Sequence, residues 1–72
     1  MKHFLASSIV NGNEIQLVKE GEYYFIYFGE QEKPKSIKKL TTPTGRRTSQ
    51  NSAHRQFMQA VQAAKYLKFS KL

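Results

Sequence analysis

Cysteine is absent from these 72 residues, and so is aspartate. The first absence removes disulfides and Cys-based zinc sites as ways of holding a small chain together. It also fits a reducing compartment, so a cytoplasmic protein is expected. His3 and His54 are the only histidines, and two imidazoles cannot close a structural metal site without carboxylate help. With neither aspartate nor cysteine, His54 has no partner for a nucleophilic triad. The glutamates all fall between Glu14 and Glu32, in turns or on strand positions near them. None lies in an apolar pocket of the kind acid–base catalysis uses. Glycine-rich phosphate loops are missing too. The expectation is a non-enzymatic protein with no metal and no cofactor.

Long apolar runs are also lacking. Nothing approaches the roughly 18 residues that cross a bilayer. The segment Met1 to Val10 has one lysine and is broken by Ser7 and Ser8, unlike a signal peptide. Seventy-two residues make one domain, 1–72, with no room for a linker and a second core. A chain of this length buries only about 60% of the surface its unfolded form exposes. Dimerisation is the remaining inexpensive route to more buried apolar area.

What the chain does have is positive charge: twelve Lys+Arg against five acids, a net charge of +7. An excess this large points to an anionic partner, nucleic acid before an acidic membrane surface. The helix described below has glutamines rather than lysines dominating its polar side, so no membrane is expected as a partner.

The chain is organised around Tyr23-Tyr24-Phe25-Ile26-Tyr27-Phe28, six consecutive aromatic or β-branched residues. That is strand composition. Alternation sends Tyr24, Ile26 and Phe28 to one face and Tyr23, Phe25 and Tyr27 to the other. Upstream, Asn11-Gly12 between apolar-containing runs is the strongest short hairpin signal, because a type I′ turn needs positive φ at both positions. It sets Val10 opposite Asn13, Ser8 opposite Ile15 and Ala6 opposite Leu17. A second turn at Glu20-Gly21 would pair Lys19 with Glu22, Leu17 with Tyr24 and Ile15 with Ile26. One face then collects Phe4, Ala6, Val10, Ile15, Leu17, Tyr24, Ile26 and Phe28 as the core. The reverse collects Leu5, Ile9, Val18, Tyr23, Phe25 and Tyr27, diluted by Ser7, Glu14 and Gln16.

These signals predict strands over about 4–10, 13–19 and 22–28, with a fourth over 35–40 if that lysine-rich segment pairs at the sheet edge. Residues 41–51, with Pro43, Gly45 and a Thr/Ser/Asn cluster, read as a loose loop carrying Arg46 and Arg47. From Ser49 or Ser52, either able to cap, a helix is predicted over about 52–68. Ala53, Phe57, Ala60, Val61, Ala64 and Leu67 form its apolar stripe, and Lys65, Lys68 and Lys71 suit its C-terminal dipole. The fold class is α+β: an antiparallel meander of three or four strands, then one amphipathic helix packed on one sheet face.

The size, basicity and four-strands-then-helix order resemble the single-stranded-DNA-binding coactivator-like fold, in which dimers bind through their sheets. The likeness is one of topology. No motif residue ties the chain to that family, and no site is carried over from it.

The functional expectation is a basic nucleic-acid-binding homodimer with little sequence preference. Lys38, Lys39, Arg46, Arg47 and Arg55 are the candidate phosphate contacts. Tyr23, Phe25 and Tyr27 serve as base-stacking rings or as a dimer interface. The alternative is a protein-interaction module, a small inhibitor or accessory subunit, that docks on a larger protein through its free sheet face or edge.

Overall fold

A computed structural model describes residues 2–30 and 32–67. The elements are β1 (Lys2–Val10), β2 (Asn13–Glu20), β3 (Tyr23–Gly29), β4 (Pro34–Leu40) and α1 (Gln50–Leu67). The strands form one antiparallel sheet in the order β1-β2-β3-β4, so β1 and β4 are its edges. The expected end of the helix at 68 lies outside the described residues, as do Lys68 and Lys71.

The first turn has the expected chemistry. Asn11 and Gly12 take φ of 53° and 81°, and Val10 pairs with Asn13, Ser8 with Ile15 and Ala6 with Leu17. The second turn corrects the expectation. Its two loop residues are Gly21 and Glu22, with Gly21 at φ 66°. The expected loop would put Glu20 at the first turn position, where hairpin turns demand positive φ. Placing Gly21 there removes that penalty. Leu17 therefore faces Ile26 and Ile15 faces Phe28. The shift is two residues, and an even shift keeps every side chain on its face. Lys19 consequently opposes Tyr24 rather than Glu22, with its ammonium 5.7 Å from the ring centroid.

Phe4 is the second correction. The β1–β2 register slips between Phe4 and Ala6, leaving Leu5 as an extra residue and pairing Phe4 with Val18. Such a bulge re-aims the residues before it. Phe4 thus leaves the core face and meets Tyr27 edge-on, ring centroids 6.0 Å apart.

On the core face, Val10, Ile15, Leu17, Tyr24, Ile26 and Leu40 pack with Ala53, Phe57, Val61 and Ala64 of α1, flanked by Ala6, Phe28 and Ala60. In β4, Leu40 is buried here and Ile37 is 53% exposed, as their opposite parity requires. The helix starts on Ser49, whose Oγ accepts a hydrogen bond from Ser52 N at 3.2 Å. That is an N-cap satisfying one free amide. The segment ahead of it is more ordered than its composition suggests. Thr42 N donates to Arg46 O and Gly45 N donates to Thr42 O, both at 2.8 Å. Arg46 N also donates to Thr42 Oγ1 at 3.1 Å. Thr41 bridges to Arg47, and Thr48 is buried.

Candidate nucleic-acid interface

The helix covers one side of the sheet, and the other is the open face. Even so, Gln16 and Val18 there are fully buried, and Tyr27 is only 3% exposed. The bulge accounts for this. It swings the Phe4 ring across β2 to touch Tyr27 on β3, with Gln16 and Val18 on the strand between them. Strand twist helps edge residues lean over the central ones. Lys2 completes the roof, its Nζ 5.4 Å from the Tyr27 centroid, a distance for cation–π attraction.

Three rings on this face were expected to be available for stacking or for a partner. Tyr27 is buried within its own chain and offers no free ring face for a base. Tyr23 is half-buried and has the Lys39 ammonium 3.9 Å from its centroid. Phe25 is half-buried, directly across from Lys39. What stands furthest out is Ile9, 70% exposed, with Ile37, Phe4 and Leu5 behind it.

The candidate phosphate contacts are all exposed but do not share one face. Lys39 lies on the open face with Phe25. Lys38 is its neighbour in β4, opposite Ile26, and so belongs to the helix side. Arg55 is on the outer surface of α1. Arg46 and Arg47 sit in the turn after β4, where Arg47 Nη1 donates to Glu22 Oε1 at 2.7 Å. That pair is well exposed on both sides and stabilises by less than about 1 kcal/mol. It ties the turn to the β2–β3 corner, at the end of the sheet holding Tyr23. Lys38, Lys39, Arg46 and Arg47 thus lie along one sheet edge and its continuation, and Arg55 stands apart.

Sequence reasoning missed Lys2 and Phe4 as open-face residues. Lys2 precedes the expected strand start, and nothing local in the chain announces the bulge. Gln16 was placed on this face as a diluting polar residue, but its burial was not foreseen. Its Nε2 donates to Glu14 Oε1 at 3.2 Å. A carboxylate only accepts, so the amide nitrogen must face Glu14. The carbonyl oxygen is left buried without a partner, a cost of about 1–3 kcal/mol.

Other chemistry is sparse. Among the described residues, no three His or Glu side chains gather as metal ligands, and no helix is long and apolar enough to cross a membrane. A cleft of about 590 Å³ opens between the second half of α1 and the sheet, lined by Ile15, Phe28, Ala60, Ala63 and Ala64 with Lys35 at its margin. Its exposed lining is mostly apolar, and Asn13, Glu14, Ser36 and Lys35, which also border it, contribute little of that surface, whereas a ligand site is oriented by convergent polar groups. In comparisons with protein-family models, with curated proteins and with solved structures, nothing matches this chain.

Proposed function

We propose that the protein is a non-enzymatic nucleic-acid-binding protein that reads backbone charge rather than base sequence. Its contact surface is the β4 edge and the turn that follows. One observation carries this reading: Lys33, Lys35, Lys38 and Lys39 are all exposed on or beside an edge strand, Arg46 and Arg47 continue the line, and no carboxylate interrupts residues 33–47. Among the described residues, only Arg47 has a carboxylate partner, so no carboxylate competes with a ligand for the lysines. Such cations displace condensed counterions from phosphates, which gives affinity without sequence information. The half-buried Tyr23 and Phe25 border this edge and add at most marginal stacking.

A gel-shift series across salt tests the reading. If four of these six cations contact phosphates, affinity falls roughly 50- to 150-fold between 50 and 200 mM salt, depending on whether the ligand is single- or double-stranded. Replacing Lys38 and Lys39 with glutamate should flatten that slope. Affinity indifferent to salt, or no binding at all, overturns the proposal. A second reading, a protein-interaction module, is favoured by the exposed aliphatic residues of the open face. A charged residue at Phe25 discriminates: it should abolish docking on a protein while leaving phosphate binding to the basic edge.

A further inference from the structure

Where the turn after β4 meets the β2–β3 corner, a recess of about 260 Å³ opens against the start of α1. Lys19, Glu22, Tyr24, Arg47, Thr48 and Gln50 line it. We propose that this recess binds a phosphate group, held between Lys19 and Arg47 on the first turn of α1. The site goes beyond the nucleic-acid reading. Lys19 belongs to β2 and not to the basic edge, and the recess suits a phosphate on a small molecule as well as one on a nucleic-acid chain.

Backbone donors are the first argument. The amides that open a helix have no partner within it. In α1 the first that does is Ala53 N, on Ser49 O at 2.9 Å, and Ser52 N is capped by Ser49 Oγ. The N–H groups of Gln50 and Asn51 are left without a hydrogen bond among the described residues. Such groups point out of the helix end, where an anion is favoured. No acidic side chain stands in the first turn to offset the positive end of the dipole.

Buried hydroxyls are the second, and they are independent of the helix end. Tyr24 and Thr48 are each only 6% exposed, yet neither hydroxyl has a hydrogen-bond partner among the described residues. Buried polar groups ordinarily find one. Among the described residues, Gln16 Oε1 is the one side-chain polar atom sealed without a partner. The two hydroxyls therefore reach open space, and the space both residues border is this recess. Charge completes the site. Lys19 has no carboxylate at ion-pair distance among the described residues, and Arg47 is held only by Glu22 in an exposed pair. A phosphate carries acceptor oxygens and charge enough to take Arg47 over and leave Glu22 to water.

Titration of the isotope-labelled full chain with inorganic phosphate at low salt, followed by NMR, tests the site. The Gln50 and Asn51 amide signals should shift along one saturating curve, and sodium chloride at matched ionic strength should not move them. Lys19→Gln should weaken binding roughly tenfold, and the near-isosteric Thr48→Val roughly three- to tenfold. Glu22→Gln removes the competitor and should tighten binding. Lys65→Gln loses the same charge at the far end of α1 and should change nothing. Should Thr48→Val disturb the fold, the variants at Lys19 and Glu22 still decide the matter. Shifts that do not saturate, or a loss in Lys65→Gln equal to that in Lys19→Gln, overturn the proposal. An oligonucleotide with and without a terminal phosphate tells the sources apart. Tighter binding of the phosphorylated strand, lost in Lys19→Gln, assigns the recess to a nucleic-acid end, and equal binding assigns it to a small phosphate compound. Inorganic phosphate bound at Gln50 and Asn51 when no oligonucleotide binds upholds this site and removes the nucleic-acid reading.

Discussion

The two sides of the sheet exclude water by different means. On the helix side, Leu17 and Ile26 are sealed by a second layer, with Phe57 and Val61 pressed against them. On the open side, Val18 and Tyr27 are sealed by neighbours in the same sheet, chiefly a phenylalanine displaced by a bulge. The first seal is independent of the sheet's own irregularities. The second relies on one irregularity, and it encloses a carbonyl with no hydrogen bond. Burial alone is therefore a poor guide to robustness: side chains equally dry on the two faces rest on supports of unequal strength.

Four substitutions sharpen that contrast. The largest effect is expected for Phe57→Ala, which empties the centre of the helix–sheet contact and should cost about 3–5 kcal/mol in urea unfolding. A domain of this size holds only roughly 4–10 kcal/mol in total, so the variant should be partly unfolded at room temperature. Phe4→Ala removes a ring of the same kind from the open side, where it is already 42% exposed. A loss of about 1–2 kcal/mol is expected there, with faster amide exchange on β2. Equal losses for the two variants would erase the distinction. Gln16→Met keeps the shape and discards the unpaired oxygen. It also loses the Nε2–Glu14 hydrogen bond, so the expected net gain is below about 1 kcal/mol, a rise in Tm of a few degrees at most, and a drop in Tm would mean that the bond to Glu14 outweighs the unpaired oxygen. Glu22→Gln, outside both seals, weakens an exposed ion pair and should move stability by less than about 0.5 kcal/mol, measured by the same melt.

Much of the architecture was legible because its signals are local. Asn11-Gly12 dictates a turn whatever surrounds it, and the register of β1 on β2 next to that turn follows from it. The helix declares itself through the spacing of Ala53, Phe57, Val61 and Ala64 and through the Ser49 cap. The second hairpin was misplaced by two residues because Gly21 fits either of two loop positions, and parity hides the difference. Phe4 was assigned to the wrong face because a bulge arises from fitting a long strand to its twisted neighbour, which a run of residues does not encode. The surface was less legible for a related reason. Lys39 and Tyr23 are brought together by strand pairing, as are Lys2 and Tyr27, and Arg47 reaches Glu22 across 25 positions of chain. Residue types identified the basic edge, but only the fold shows that Arg55 does not belong to it and that Tyr27 is not a free ring.

The strand order also bears on how quickly the chain reaches its native state. Each strand pairs with the next one in sequence, so the sheet can grow hairpin by hairpin, closing only short loops whose entropy cost is small. Topologies dominated by such near-neighbour pairing sit toward the rapid end of the folding scale for sheet proteins. The helix is the late participant: its apolar stripe has no complete surface to dock on until β1, β2 and β3 have assembled. In stopped-flow refolding, changes at the Asn11-Gly12 corner should therefore act mainly on the forward rate, and changes at Phe57 mainly on the rate of unfolding.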